Sequence, residues 1–190
     1  CYDSLPKQLA RENKKFKYSE VEKKATSRKY GDSIIWLKDA NLAHLCYNVY
    51  EPYLPLNANG KDNEFKVYVN DTGLLMARYG MQTKLAVLTG KILGNAKGGI
   101  YENLIAEILV KRGFNLNYYK TENSSMEIEF IIERNGEVIP MEVKAGNTSS
   151  PSLNRFMDLF HPSEAYKFVD GNIGKAGTKI TLPHYMAIFL

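Results

Sequence analysis

Residues 127–144 hold two runs of alternating character around a turn: Glu127-Ile128-Glu129-Phe130-Ile131-Ile132-Glu133, then Arg134-Asn135-Gly136-Glu137, then Val138-Ile139-Pro140-Met141-Glu142-Val143-Lys144. Asn-Gly between alternating apolar runs signals a two-residue hairpin, because both residues tolerate the positive φ that matches the twist of paired strands. With Asn135-Gly136 as the turn, Arg134 lies opposite Glu137, and the pairs Ile132 with Ile139, Phe130 with Met141 and Ile128 with Val143 follow. These make an apolar face suited to a core. On the other face Glu129 falls across from Glu142, and Glu127 across from Lys144. Like charges directly opposite repel, so such a pair is either exposed to water or shares a cation. Two carboxylates and a lysine at one end of a hairpin supply oxygen ligands for a hard cation and an ammonium to orient water, the requirements of metal-dependent phosphodiester hydrolysis. The competing reading is a solvated face with an ordinary Glu127–Lys144 pair worth roughly 0.2–1 kcal/mol. Pro140 lacks a ladder donor and suits an edge or a bulge, and a bulge there shifts the register by one.

A chain of 190 residues can bury a sizeable core as one domain or two small ones. Its 44% apolar and 24% charged content belongs to a folded chain and excludes a disordered one. No apolar run approaches the roughly 18 residues of a membrane helix. The start, Cys1-Tyr2-Asp3-Ser4, has no signal-peptide pattern and no initiator Met, which suggests a fragment of a longer chain. Cys1 and Cys46 have no metal-ligand spacing and no disulfide framework, so a cytoplasmic location is expected. The first 30 residues carry nine Lys or Arg against four Asp or Glu, a net of +5, which leaves −1 for the rest of a chain whose total is +4. The basicity is therefore local. Lys14, Lys15, Lys23, Lys24, Arg28 and Lys29 make a candidate nucleic-acid contact, with a solvated helix face as the alternative.

Ser4-Leu5-Pro6 opens a helix expected to run to about Asn13, and Ser19 with Glu22 has capping-box spacing for a second helix to about Tyr30. Asp32 or Ser33 then caps a third, in which Trp36 is expected in the core. Strands at 42–50 and 65–69 complete a winged-helix-like segment. Pro52, Pro55 and residues 57–62 form a loop, and Asp71 caps a short helix to about Arg78. The stretch 80–97 carries no assignment. Gly98-Gly99 frees the backbone for a helix over 100–111, with Ile100, Leu104, Ile105, Ile108 and Leu109 as its buried stripe and Gly113 as its C-cap. Glu102, in the first turn of that helix, faces its positive end. A strand over 115–120, the hairpin, a helix from Ser150-Pro151 to before Pro162, and strands at 166–169 and 179–190 follow, the last expected to be buried. The result is an α/β (α+β) chain with a mixed sheet flanked by helices, divided as residues 1–64 and 65–190.

Helix with Glu102, strand, Glu129, then Glu142-Val143-Lys144 thirteen residues on, then a helix: this order resembles the PD-(D/E)XK restriction-endonuclease-like core. The resemblance implies a Mg²⁺ site in which Glu129 and Glu142 are metal ligands, Lys144 is the lysine and Glu102 the helix acid, all four being candidate catalytic residues. Longer segments carry a second resemblance: residues 4–16, Trp36-Leu37-Lys38-Asp39-Ala40, residues 65–75, Gly99 with Glu102-Asn103, and Ile139-Pro140-Met141-Glu142-Val143-Lys144. They are similar to the C-terminal region of a large prokaryotic family of AAA-superfamily ATPases, a domain of unknown function that follows the ATPase core. The resemblance implies an upstream ATP-binding half, through which alone ATP would act, and no Gly-x-x-x-x-Gly-Lys-Ser/Thr loop occurs in these residues. Family members commonly carry Glu-Val-Asp-Phe where this chain has Glu127-Ile128-Glu129-Phe130. The extra methylene of Glu129 displaces a carboxylate that Mg²⁺ would need in near-ideal octahedral geometry.

Two functions compete at this point. One is a binding and regulatory module of the ATPase, touching DNA or a protein partner through the basic helices, with a degenerate metal site; the other is a Mg²⁺-dependent nuclease using Glu102, Glu129, Glu142 and Lys144. Chemistry on His44, His161 and His184 is disfavoured, because they share no short spacing.

Overall fold

The structure is a computed structural model that describes residues 1–91, 94–146 and 148–190, so residues 92 and 93 of the unassigned 80–97 stretch lie outside it. Its helices are α1 (Leu5–Leu9), α2 (Ser27–Asp39), α3 (Thr72–Tyr79), α4 (Met81–Leu88), α5 (Gly94–Lys111) and α6 (Pro151–Phe160). The strands are β1 (Ala43–Val49), β2 (Gly60–Val69), β3 (Asn117–Lys120), β4 (Glu127–Arg134), β5 (Glu137–Val143), β6 (Ala165–Val169), β7 (Gly174–Ala176) and β8 (Lys179–Pro183). The fold is a mixed α+β one. It divides into two compact units, residues 1–45 with 64–107, and residues 46–63 with 108–190, where a single cut after residue 64 was expected. The division falls inside β1, β2 and α5. Among the described residues no helix is long and apolar enough to cross a membrane.

In the first unit the early helices differ from expectation. α1 stops at Leu9 because the chain turns back: the Gln8 side chain accepts from the Lys17 N–H, and the Phe16 N–H donates to Phe65 at the edge of β2. The Ser19–Glu22 box forms only a short 3-10 turn over Tyr18–Glu20, and Glu22 instead accepts from Lys29 and Tyr30. The second and third expected helices merge into α2, with Asp32 and Ser33 inside it. Its buried residues are Ile34 and Leu37, so Trp36 falls off that stripe and is 63% exposed instead of core. Asp71 caps α3 as expected, its side chain accepting from the Leu74 N–H.

α5 starts at Gly94, about a turn and a half before the expected position, and two readings change with it. Gly98 and Gly99 lie inside the helix, and a Cβ on Gly99 would sit 2.1 Å from the Leu9 carbonyl oxygen: the glycine permits close approach of α1. Glu102 lies well past the first turn, so the helix terminus does not account for it.

The second unit is built on a mixed sheet of strand order β2-β1-β3-β4-β5-β6-β8-β7, β2 being represented there by its first residues. β1–β3, β5–β6 and β6–β8 are parallel; β3–β4, β4–β5 and β7–β8 are antiparallel. The hairpin has the expected turn, with φ of 53° at Asn135 and 79° at Gly136, and the expected register: Arg134 with Glu137, Ile132 with Ile139, Phe130 with Met141. Pro140 causes no bulge and pairs with Ile131 in register. Counting from the turn, that pair is non-hydrogen-bonded, so the proline nitrogen faces β6, where pairing begins only at Met141. The irregularity lies on the other side. Between β3 and β4 the register slips from Asn117↔Ile131 to Tyr119↔Ile128, and Ile128 and Ile131, three residues apart, share one core cluster with Val49, Leu56, Met126, Leu153, Phe156 and Ala165. α6 covers that cluster through Leu153 and Phe156. The final segment is strand only to Pro183; His184–Phe189 is a 3-10 helix with Tyr185 and Phe189 exposed, against the expectation of a buried strand to residue 190.

Candidate carboxylate and lysine site

β5 carries Glu142 into the second unit's interior, 0% exposed, and the chain leaves the strand at Lys144. The backbone of Lys144 is held on both sides: its N–H donates to Phe168 of β6 at 2.9 Å, and its carbonyl meets His184 Nε2 at 2.9 Å. So fixed, the Lys144 ammonium lies 2.9 Å from Glu142 Oε1 and 3.7 Å from Glu129 Oε1. Glu129 is only partly buried and accepts the Val143 N–H through Oε2 at 3.4 Å. The hairpin ladder runs from Arg134 with Glu137 as far as Phe130 with Met141, one step short of a Glu129–Glu142 pair. Three of the predicted residues, Glu129, Glu142 and Lys144, therefore come together, and a cation does stand between the acids: it is the lysine. Glu127 pairs with Lys120 at 2.8 Å.

The other neighbour of Glu142 is Lys167, its register partner on β6. Lys167 is buried, and its ammonium donates to the Thr148 carbonyl at 2.6 Å. Burial pushes its pKa below the ordinary lysine value; Glu142 pulls it back up in part, and Lys179 and Lys144 push it down. Sequence reasoning missed Lys167, although a lone cation inside the apolar run Ala165–Val169 was a visible signal. His184, expected from the sequence to be structural and not chemical, serves the backbone here through the Lys144 carbonyl. Despite the 2.9 Å ion pair, neither Glu142 oxygen has a partner of hydrogen-bond geometry.

Glu102 belongs to the first unit and is occupied there. Lys14 lies 2.9 Å from Oε1, Tyr68 donates to Oε2 at 3.2 Å, and Lys66, itself 2% exposed, lies 3.9 Å from Oε2. Beside it the buried Asn103 accepts the Val69 N–H at 2.8 Å and donates to the Val69 carbonyl at 3.0 Å, completing the end of β2 as a neighbouring strand would. Of the candidate nucleic-acid cations, Lys14 pairs with Glu102, Lys15 with Glu64 and Lys29 with Glu22. Lys23, Lys24 and Arg28 are exposed.

A Mg²⁺ ion does not fit the arrangement as it stands. Mg²⁺ takes near-octahedral oxygen ligands, whereas here two carboxylates converge on an ammonium, and no group of three His, Cys, Asp or Glu suited to a metal occurs among the described residues. Two acids and two lysines balance in charge.

Residues 97–182 match the family described as Domain of unknown function (DUF4143), and residues 1–85 match that described as Domain of unknown function (DUF8612). The chain is similar to uncharacterized protein Rv2008c of Mycobacterium tuberculosis and to uncharacterized protein Mb2031c of Mycobacterium bovis. Each is 32% identical over 92 residues, which is 48% of this chain and 20% of the relative. The chain thus matches about a fifth of the length of these curated relatives. No solved structure matches it.

Proposed function

We propose that this chain is a nucleic-acid- or partner-binding module of a prokaryotic AAA-superfamily ATPase, whose second unit keeps a nuclease-like arrangement without cleaving. The observation that carries this reading is the position of Lys144, within 2.9 Å of Glu142 and 3.7 Å of Glu129, where a catalytic cation would have to sit. Element order supports the nuclease-like part: helix, strand, hairpin, helix, strand over α5, β3, β4, β5, α6 and β6. The exposed cations Lys23, Lys24 and Arg28 support a polyanion contact by the first unit. The upstream ATP-binding half and the cytoplasmic location belong to this proposal.

One observation favours the alternative, a Mg²⁺-dependent phosphodiester-cleaving domain. Both oxygens of Glu142 are buried without a hydrogen bond, and a divalent ion would satisfy them. Calorimetric titration with Mg²⁺ and Mn²⁺, alongside a cleavage assay on single- and double-stranded DNA, separates the two. The binding-module reading expects no saturable metal heat and no cleavage in the wild type. Metal binding and cleavage that both disappear in Glu129→Gln and Glu142→Gln would replace it with the nuclease.

A further inference from the structure

A second polar concavity of the second unit lies away from the acid–lysine cluster, and none of its residues figures in the binding-module function. It measures about 420 Å³ and is lined by Tyr50, Lys61, Lys120, Ser125 and Arg155 among others. That volume is in the range of small-ligand sites, roughly 300–1,000 Å³. Three cations line it against a single carboxylate, Glu122.

The walls come from four ordered elements. Tyr50 follows β1, and its N–H donates to Asn59 at 2.9 Å. Lys61 lies on β2 with its ammonium 4.8 Å from the centre of the Tyr50 ring. Lys120 ends β3, its N–H bonded to Asn48 Oδ1 at 2.9 Å and its ammonium shared with Glu127. Arg155 stands on α6, and its one polar partner among the described residues is Ser125 Oγ, at 3.3 Å. Its guanidinium therefore has no carboxylate partner there. Tyr50 is 64% exposed although Lys61 covers one face of its ring, so the opposite face is open.

An uncompensated guanidinium fork, a second cation held in place and an open aromatic face are the elements that recognise a phosphate joined to a planar base. We propose that this pocket binds one nucleotide unit, its phosphate between Arg155 and Lys120 and its base stacked on Tyr50. The same chemistry is offered by a free nucleotide and by a residue of a single DNA strand.

The test is calorimetric titration of the 190-residue chain at low salt with AMP, inorganic phosphate and an eight-residue oligo(dA). AMP or the oligonucleotide binds, and Arg155→Gln weakens it about tenfold, as removal of a charge-assisted phosphate hydrogen bond should. Tyr50→Ala weakens it by a similar factor, about tenfold for one missing stack, while leaving inorganic phosphate unchanged. Tight AMP binding identifies a free nucleotide as the source; oligonucleotide binding with negligible AMP affinity identifies a strand. No binding of either probe at millimolar concentration, or binding indifferent to both Arg155→Gln and Tyr50→Ala, overturns the proposal.

Discussion

Glu102 shows how a residue suggestive of catalysis can be taken up by the interior. Its two oxygens serve Lys14, Lys66 and Tyr68, in a setting where Lys66 is 2% exposed. Removing one partner of a buried ion pair is strongly destabilising, about 3–5 kcal/mol, because the remaining charge keeps its desolvation penalty. Glu102→Gln is therefore expected to lower the unfolding free energy by an amount in that range, read as a lower urea midpoint with an unchanged slope. A catalytic acid without a structural part would show a loss under about 0.5 kcal/mol, the scale of surface changes. Asn103 allows a companion test. Its amide satisfies both the N–H and the carbonyl of Val69, and Asn103→Ala orphans two buried backbone groups at about 1–3 kcal/mol each. Equilibrium unfolding checks it, and a loss below about 1 kcal/mol would mean that water replaces the amide.

Elements meet through a few backbone approaches, and two adjacent glycines separate their effects. Gly99 has the Leu9 carbonyl 2.1 Å from where its Cβ would be, while Gly98 has nothing within 4 Å. Gly98→Ala should stabilise α5 by about 0.5–1 kcal/mol through helix propensity. Gly99→Ala should destabilise by about 1–3 kcal/mol, because overpacking outweighs that gain. Thermal melts of the two variants are expected to move in opposite directions. α3 is tied to α1 by Tyr79, whose hydroxyl donates to the Pro6 carbonyl at 2.7 Å. Burial pushes the Tyr79 phenol up to about 12, from 10.0 for a free side chain. The neutral phenol is thus favoured in the folded state, and its contribution is complete below pH 10 and lost as pH rises from 10 through 12. Tyr79→Phe should remove that part of the alkaline decline while losing about 1 kcal/mol at neutral pH. Parallel alkaline slopes in the two proteins would contradict it.

At the scale of the whole chain, both units are discontinuous, which decides where it can be divided. A fragment 65–190 lacks β1 and half of β2, although residues 46–63 belong to the second unit. Such a fragment is expected to show weak near-ultraviolet dichroism and poor dispersion in proton spectra, where the intact chain is ordered. A folded, dispersed 65–190 fragment would show that the unit stands without β1. The charge balance acts at the same scale. With Lys14, Lys15 and Lys29 already paired, Lys23, Lys24 and Arg28 are the exposed members of the candidate nucleic-acid set that remain for a polyanion contact. Reversing the two lysines should weaken DNA binding and reduce the salt slope by about 0.9 for each phosphate no longer neutralised. Unchanged affinity and slope would exclude that surface.

Local features were legible in the sequence where one interaction dominates. Asn135-Gly136 set the hairpin register because positive φ at both positions leaves little choice of turn, and Asp71 capped α3 because its side chain needs only the next three residues. The start of α5, the exposure of Trp36 and the 3-10 ending were not legible, since helix ends and buried stripes depend on what packs against them. By itself the sequence determined the hairpin, the gathering of Glu129 and Glu142 beside Lys144, and the mixed α+β class. Only the tertiary structure decided that Lys167 lies next to Glu142, that Glu102 is held by two lysines, and that an ammonium occupies the space between the acids. Those are contacts between residues far apart in the chain, and their distances are fixed by packing that no local pattern encodes.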